Sequence, residues 1–193
     1  MKKAIILLAT LKKDAPSNTE ALSDFLIEKL QKNGVSCETV KLVNQNILPG
    51  TYEDMGAGDA WPGILAKLLE ADIIIFATPV WWGSHSSEMQ KVIERLDSIH
   101  DEILSGKESR LADKVGGIVI TGDSDGAEQI IGIISNFINA IGILLPPFAT
   151  LSVLWEGHRK DAKKTREQLM EEYEKEYAST SDKMVTQLLK YSK

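Results

Sequence analysis

Three short stretches of the chain combine residue types suited to holding a ligand. In the first, Thr10, Lys12, Ser17, Asn18 and Thr19 gather hydroxyls, an amide and a full positive charge just ahead of a helix-like pattern. A helix N-terminus presents unpaired N–H donors and the positive end of the helix dipole, so this placement suits an anion, typically phosphate. The plainer alternative is that Ser17 or Thr19 only caps the helix, with Glu20 supporting its first turn. In the second, Thr78-Pro79-Val80-Trp81-Trp82-Gly83 follows the apolar run Asp72-Ile73-Ile74-Ile75-Phe76-Ala77. Two indoles beside a proline and a glycine offer a flat apolar wall with close backbone access, which suits a planar aromatic ring. The alternative is that both tryptophans are core or interface residues. In the third, Thr121-Gly122-Asp123-Ser124-Asp125-Gly126-Ala127 sets two glycines among short polar residues, where the backbone can take positive φ and approach a ligand. A turn with a helix cap is the alternative there, and the aspartates lack the full spacing of a calcium loop.

The hydropathy pattern supplies a scaffold that brings these stretches together. Residues 3–9, 72–78 and 115–121 are nearly all apolar, as expected of parallel strands buried on both faces. Residues 36–43 alternate, which predicts an edge strand with less cover. A fifth strand is expected within 144–155, with Pro146 and Pro147 ahead of it or at a sheet edge, because a central strand cannot spare the donors. Helical patterns fall between the strands. They cover 19–33, stopped by Gly34; a short segment opened by Asp59 as cap and Pro62, running through Leu69; 86–100; and 127–141. A last one spans 161–190, where Ala178-Ser179-Thr180-Ser181 is a run of poor helix formers able to break it. Strict alternation implies a parallel sheet covered on both faces, with right-handed crossovers. All three ligand-type stretches then leave the carboxyl ends of strands, where open α/β sheets bind ligands. The one long connection, 44–58, has a length often found in functional covers, with a poorly ordered excursion as the alternative.

One domain over residues 1–193 is the simplest organisation, with 43% apolar and 26% charged residues. A net charge of −6 argues against a nucleic-acid partner. The basic pairs Arg159-Lys160 and Lys163-Lys164 are followed at once by acidic residues and read as a solvated helix face. Cys37 is the only cysteine, which excludes an intrachain disulfide, a Cys-rich zinc site and a cysteine-ligated iron–sulfur cluster. Residues 1–8 read as a first strand, no segment reaches transmembrane length, and a cytoplasmic protein without a membrane partner is expected. Neither Gly-Lys-Ser/Thr nor Gly-x-Gly-x-x-Gly occurs in the first loop, which disfavours an ATPase or a dinucleotide-first Rossmann enzyme. His85 reads as a surface or capping residue, and His100 and His158 have no partner motif, so no metal site is expected. Cys37 reads as an inert small hydrophobe.

The combination of Thr10-x-Lys12 with Ser17-Asn18-Thr19, then Thr78-Pro79-Val80-Trp81-Trp82-Gly83-Ser84, then Thr121-Gly122-Asp123-x-x-Gly126-Ala127 resembles the flavodoxin-like NADPH-dependent FMN reductase family. Glu94-Arg95-Leu96-Asp97 also fits. The resemblance implies a flavodoxin-like α/β three-layer sandwich, a five-stranded parallel sheet in order 2-1-3-4-5 with helices on both faces, and noncovalent FMN at the switch point. It implies that Thr10, Lys12, Ser17, Asn18 and Thr19 hold the FMN phosphate. Pro79, Val80, Trp81, Trp82 and Gly83 would then run along the isoalloxazine, and Thr121, Gly122, Asp123 and Gly126 would close its other side. Ala9-Thr10-Leu11-Lys12 stands where the family often has Gly-Ser-x-Arg, and a lysine lacks the planar fork of arginine, so phosphate affinity is the property affected.

The activity implied is an FMN-dependent oxidoreductase that takes hydride from NADPH or NADH and reduces a small acceptor such as a quinone, flavin, nitro- or azo-compound. The cofactor carries the chemistry, so no catalytic acid or base is assigned. Two other readings stay open: a flavodoxin-type electron carrier with an acidic docking face, and a flavin-free interaction protein on the same fold. The apolar helix within 127–141 and the long 44–58 loop fit self-association, as a homodimer or homotetramer, better than a carrier.

Overall fold

The computed structural model describes residues 1–193. Its five strands are β1 (Lys3–Leu8), β2 (Ser36–Lys41), β3 (Ile73–Pro79), β4 (Val115–Gly122) and β5 (Thr150–Leu154). They form one all-parallel sheet in the order β2-β1-β3-β4-β5, the flavodoxin-like arrangement expected from the sequence. The helices are α1 (Asn18–Lys32), α2 (Trp61–Glu70), α3 (Ser87–Arg95), α4 (Asp97–Leu104), α5 (Ala127–Ala140) and α6 (Arg166–Tyr191). None of them is long and apolar enough to cross a membrane. Successive residues of a strand point to opposite faces, so the apolar runs build two cores at once. Ile74 and Phe76 of β3 join residues of α2, α3, α4 and α5 in one, while Ile73, Ile75 and Ala77 join α1 and α6 in the other. The register sets Leu8 beside Ala77, Pro79 beside Thr121 and Gly122 beside Leu154, which brings the carboxyl ends of β1, β3, β4 and β5 to one rim.

Several elements depart from the sequence reading for identifiable reasons. The helical pattern over 86–100 is split at Leu96. There the Ser98 hydroxyl takes the Arg95 carbonyl at 3.2 Å, and the Ile99 amide turns instead to Leu96, three residues back. The last helix begins at Arg166 rather than 161, because Thr165 and Gln168 form a reciprocal capping box. It runs unbroken through 178–181, where Ser181 satisfies its hydroxyl on the Ala178 carbonyl while Met184, Val185 and Leu188 bury the next turns. Asp59 is not the cap of α2, a position held by Ala60. Its carboxylate still accepts from the Trp61 amide of the first turn, at 3.2 Å, and is buried against Arg95, at 2.7 Å.

That pair organises the long 44–58 connection. The Arg95 guanidinium also donates to the carbonyls of Leu48, Tyr52 and Glu53, at 2.8, 2.9 and 3.1 Å. The connection is therefore an ordered loop fastened to α3, and none of its residues lines the cleft described next.

Candidate functional site

A cleft of about 460 Å³ opens at the carboxyl ends of the strands, within the size range of cofactor and small-molecule sites. Thr10, Lys12, Ser17, Asn18, Thr19, Pro79, Val80, Trp81, Trp82, Thr121, Gly122 and Asp123 all line it, so the three stretches meet. Gly83 and Gly126 do not line it. A second hollow of about 170 Å³ lies at the opposite end of the sheet, among the exposed pairs Lys3–Glu70 and Lys67–Glu38. It is a dent between surface charges rather than a site, since ligands in such sheets bind at the carboxyl ends.

The first loop is knitted together by hydroxyls. Ser17 caps α1 from an extended backbone and accepts from the Glu20 amide at 3.3 Å. Its own hydroxyl donates to Thr10 Oγ1 at 2.9 Å, which also accepts from the Lys12 amide at 3.2 Å. Thr19 and Thr121 share a hydroxyl–hydroxyl bond of 2.7 Å, which ties the first loop to the third. Capping and anion binding are compatible here, because the cap leaves the Asn18 and Thr19 amides without a partner inside the chain.

The second loop is a tight turn. Trp81 and Ser84 exchange N–H···O bonds of 2.7 and 2.9 Å, and the two residues between them, Trp82 and Gly83, have φ of +50° and +74°. Positive φ at both central positions is the type I′ geometry. It is strained for a tryptophan, by about 1–2 kcal/mol. The turn holds Trp82 out of the fold at 99% exposure and Trp81 at 37%, so neither indole belongs to the core. Gly126, with φ of +132°, packs behind this turn: a Cβ built on it would lie 2.7 Å from Gly83 Cα. The two glycines thus set the spacing of the second and third loops.

The cleft is completed by residues outside the three stretches, which the sequence alone did not assign to it. His158, Arg159, Lys160 and Asp161 follow β5 and line it from the far side. Arg159 and Lys160 are therefore not a helix face; they sit in a turn before α6. His158 is 8% exposed, with Nδ1 3.1 Å from the Gly122 carbonyl and Nε2 2.8 Å from the Tyr173 hydroxyl. A carbonyl can only accept, so Nδ1 carries the proton and Nε2 accepts from Tyr173. Asn18 closes the arrangement by donating to the His158 carbonyl at 2.9 Å. Burial lowers the His158 pKa against the opposing pull of the Gly122 carbonyl, and burial raises that of Tyr173. Arg159 is paired with Asp161 at 3.2 Å, and the Lys160 ammonium lies 5.0 Å from the Trp81 ring centre.

His85 does not line the cleft; its Nδ1 lies 3.1 Å from the Ser86 carbonyl, and Ser86 caps α3. Burial pushes the Cys37 thiol up to about 11, which leaves it unreactive at neutral pH. No three His, Cys, Asp or Glu side chains converge in a way that could hold a metal ion.

Residues 2–152 match the family model described as NADPH-dependent FMN reductase. The 8-demethyl-8-aminoriboflavin-5'-phosphate synthase of Streptomyces davaonensis is 31% identical over 165 residues, covering 80% of this chain and 63% of that protein. The chain spans less than two thirds of the length of the curated relatives it matches. Among solved structures, RosB with the bound intermediate 8-demethyl-8-formylriboflavin-5'-phosphate superposes with a TM-score of 0.79 at 26% identity, over 97% of this chain and 77% of that one. FerB, the NAD(P)H:(acceptor) oxidoreductase flavoenzyme of Paracoccus denitrificans, shares the fold at a TM-score of 0.70 and 17% identity, over the whole of both chains.

Proposed function

The chain belongs to the NADPH-dependent FMN reductase family, and on that premise we propose that it binds FMN noncovalently in the cleft and passes hydride from NADPH or NADH to a small acceptor. One observation carries this reading: a hydroxyl and amide nest at the α1 N-terminus faces the same cleft as the Trp81–Trp82 turn. The residues present fit the cofactor. The Thr10 hydroxyl, held in place by Ser17, and the free Asn18 and Thr19 amides, with the Lys12 charge, supply donors for a phosphate. Pro79, Val80 and the two indoles offer an apolar wall, and Thr121, Gly122 and Asp123 offer a polar edge beside it. When bound, FMN supplies the hydride chemistry. The chain's part is to position the ring and shape access to it. Gly83 and Gly126 set loop spacing from behind, and His158, with both ring nitrogens engaged, holds loops rather than moving protons.

The acceptor class that suits a cleft walled by exposed indoles is a planar aromatic molecule: a quinone, flavin, nitro- or azo-compound. Ile131, Ile133 and Phe137, only partly buried along α5, suit association into a homodimer or homotetramer. A second reading comes from the synthase relative and the flavin phosphate bound in RosB. In it the flavin phosphate is itself a substrate and leaves altered. Titrating the protein with FMN, followed by flavin fluorescence, tests the common premise. The wild type is expected to retain one FMN per chain, and joint Trp81→Ala and Trp82→Ala substitution to weaken it about tenfold, the loss of one stacking contact. Unchanged affinity would contradict the placement of the ring. The mass of the recovered flavin separates the readings: unaltered for the reductase, altered for the second.

A further inference from the structure

One wall of the cleft comes from residues beyond the family-matching span of 2–152, and it carries the cation Lys160. This wall is rigid at its base. The Trp155 amide donates to the Gly122 carbonyl at 2.9 Å, the His158 amide to the Trp155 carbonyl at 2.8 Å, and the His158 ring and carbonyl tie it to β4, α6 and α1. Arg159 is paired with Asp161 at 3.2 Å. Lys160 has no carboxylate within ion-pair distance, and its ammonium rests on the exposed indole of Trp81.

A charge-assisted bond to phosphate is stronger than a cation–π contact on an exposed ring, so an arriving phosphate draws Lys160 off Trp81 and frees the indole face. The nest of Thr10, Ser17 and Thr19 belongs to the first loop, whereas Lys160 rests on Trp81 of the second. We infer that Lys160, positioned by the His158 anchor, binds a phosphate of the nicotinamide dinucleotide and so sets the affinity for the reductant. This rests on the reading of the cleft as an FMN-dependent reductase site.

The test is calorimetric titration of the FMN-loaded protein with NADP⁺ and NAD⁺, which bind without reducing the flavin. Lys160→Gln is expected to weaken NADP⁺ about tenfold, to raise the KM for NADPH to match with kcat unchanged, and to leave FMN affinity within about twofold. Added salt should weaken the wild type more than the variant. Lys32→Gln, at the far end of α1, serves as the charge-matched control and should change none of these. Equal losses for NADP⁺ and NAD⁺ assign the pyrophosphate, and a loss for NADP⁺ alone assigns the 2′-phosphate. Unchanged dinucleotide affinity in Lys160→Gln overturns the inference, as does a parallel fall in FMN affinity, which would place the lysine in the flavin site. A wild type that binds FMN but neither dinucleotide overturns it alone. A wild type that binds no FMN removes the underlying reading and the inference with it.

Discussion

Replacing Gly126 with alanine tests whether the loop spacing holds the cleft in shape. The added Cβ would sit 2.7 Å from Gly83 Cα and 3.0 and 3.1 Å from its carbonyl carbon and oxygen. Carbon atoms in contact rest at about 3.5–4.0 Å, so Gly83 must retreat by roughly 1 Å. The neighbour is backbone, so no flexible side chain can swing away. A φ of +132° adds a conformational cost of about 1–2 kcal/mol for an L-residue, and overpacking adds about 1–3 kcal/mol. For a chain of this length each kcal/mol lowers Tm by about 2–4 °C, so Gly126→Ala should melt roughly 5–15 °C below the wild type. Gly83 lies in the turn that carries Trp81 and Trp82, so FMN affinity should fall with it. Gly63→Ala supplies the opposite case. Gly63 is exposed in α2, with no atom within 4 Å of a built Cβ and no positive φ, so the change should stabilise by about 0.5–1 kcal/mol. Thermal unfolding by circular dichroism and FMN titration read both variants. A Gly126→Ala protein that melts with the wild type and binds FMN equally well would refute the reasoning.

The Arg95–Asp59 clamp should appear in acid unfolding. Burial pushes the Asp59 carboxyl up, but hydrogen bonds from Arg95 and from the Met55, Trp61 and Leu48 amides outweigh it and hold it well below the usual range. A depressed carboxyl contributes stability that is full above its unfolded value, about 4, and is lost as pH falls below that. Asp59→Asn should therefore cost about 3–5 kcal/mol at pH 7, and the gap in Tm should narrow as pH drops from 5 towards 2. A gap that stays constant over that range would contradict the pairing. His158→Ala removes the bonds to Gly122 and Tyr173 and leaves the Tyr173 hydroxyl only the Asn18 carbonyl, 3.5 Å away. About 2–3 kcal/mol should be lost at neutral pH, with weaker FMN binding. Burial keeps the folded pKa of His158 below the unfolded value of about 6.5, so the wild type loses stability as pH falls below 6.5. The alanine variant should lack that part of the pH dependence, which pH-resolved melting curves would show.

The strands were legible because short β-branched runs such as Ile73-Ile74-Ile75-Phe76 read as doubly buried strands, and their alternation with helical patterns leaves few topologies. The three loops were legible because hydroxyls, indoles and glycines stood at strand ends. What stayed hidden depended on distance in the chain or on a single side chain. Nothing local links Gly83 to Gly126, or His158 to Tyr173, and only the closed fold brings them within contact. The exposure of the tryptophans followed from a turn type that Trp82-Gly83 does not advertise. The split at Leu96 came from one hydroxyl competing for a backbone carbonyl. The Thr165-x-x-Gln168 capping box, by contrast, was readable and would have set the start of the last helix correctly.

The most direct test of the central claim is anaerobic mixing of the FMN-loaded protein with NADPH, followed by visible absorbance. The account predicts that the yellow flavin band bleaches at a rate that saturates with NADPH, and that a quinone restores it. Bound FMN that dithionite bleaches but neither NADPH nor NADH does would contradict it.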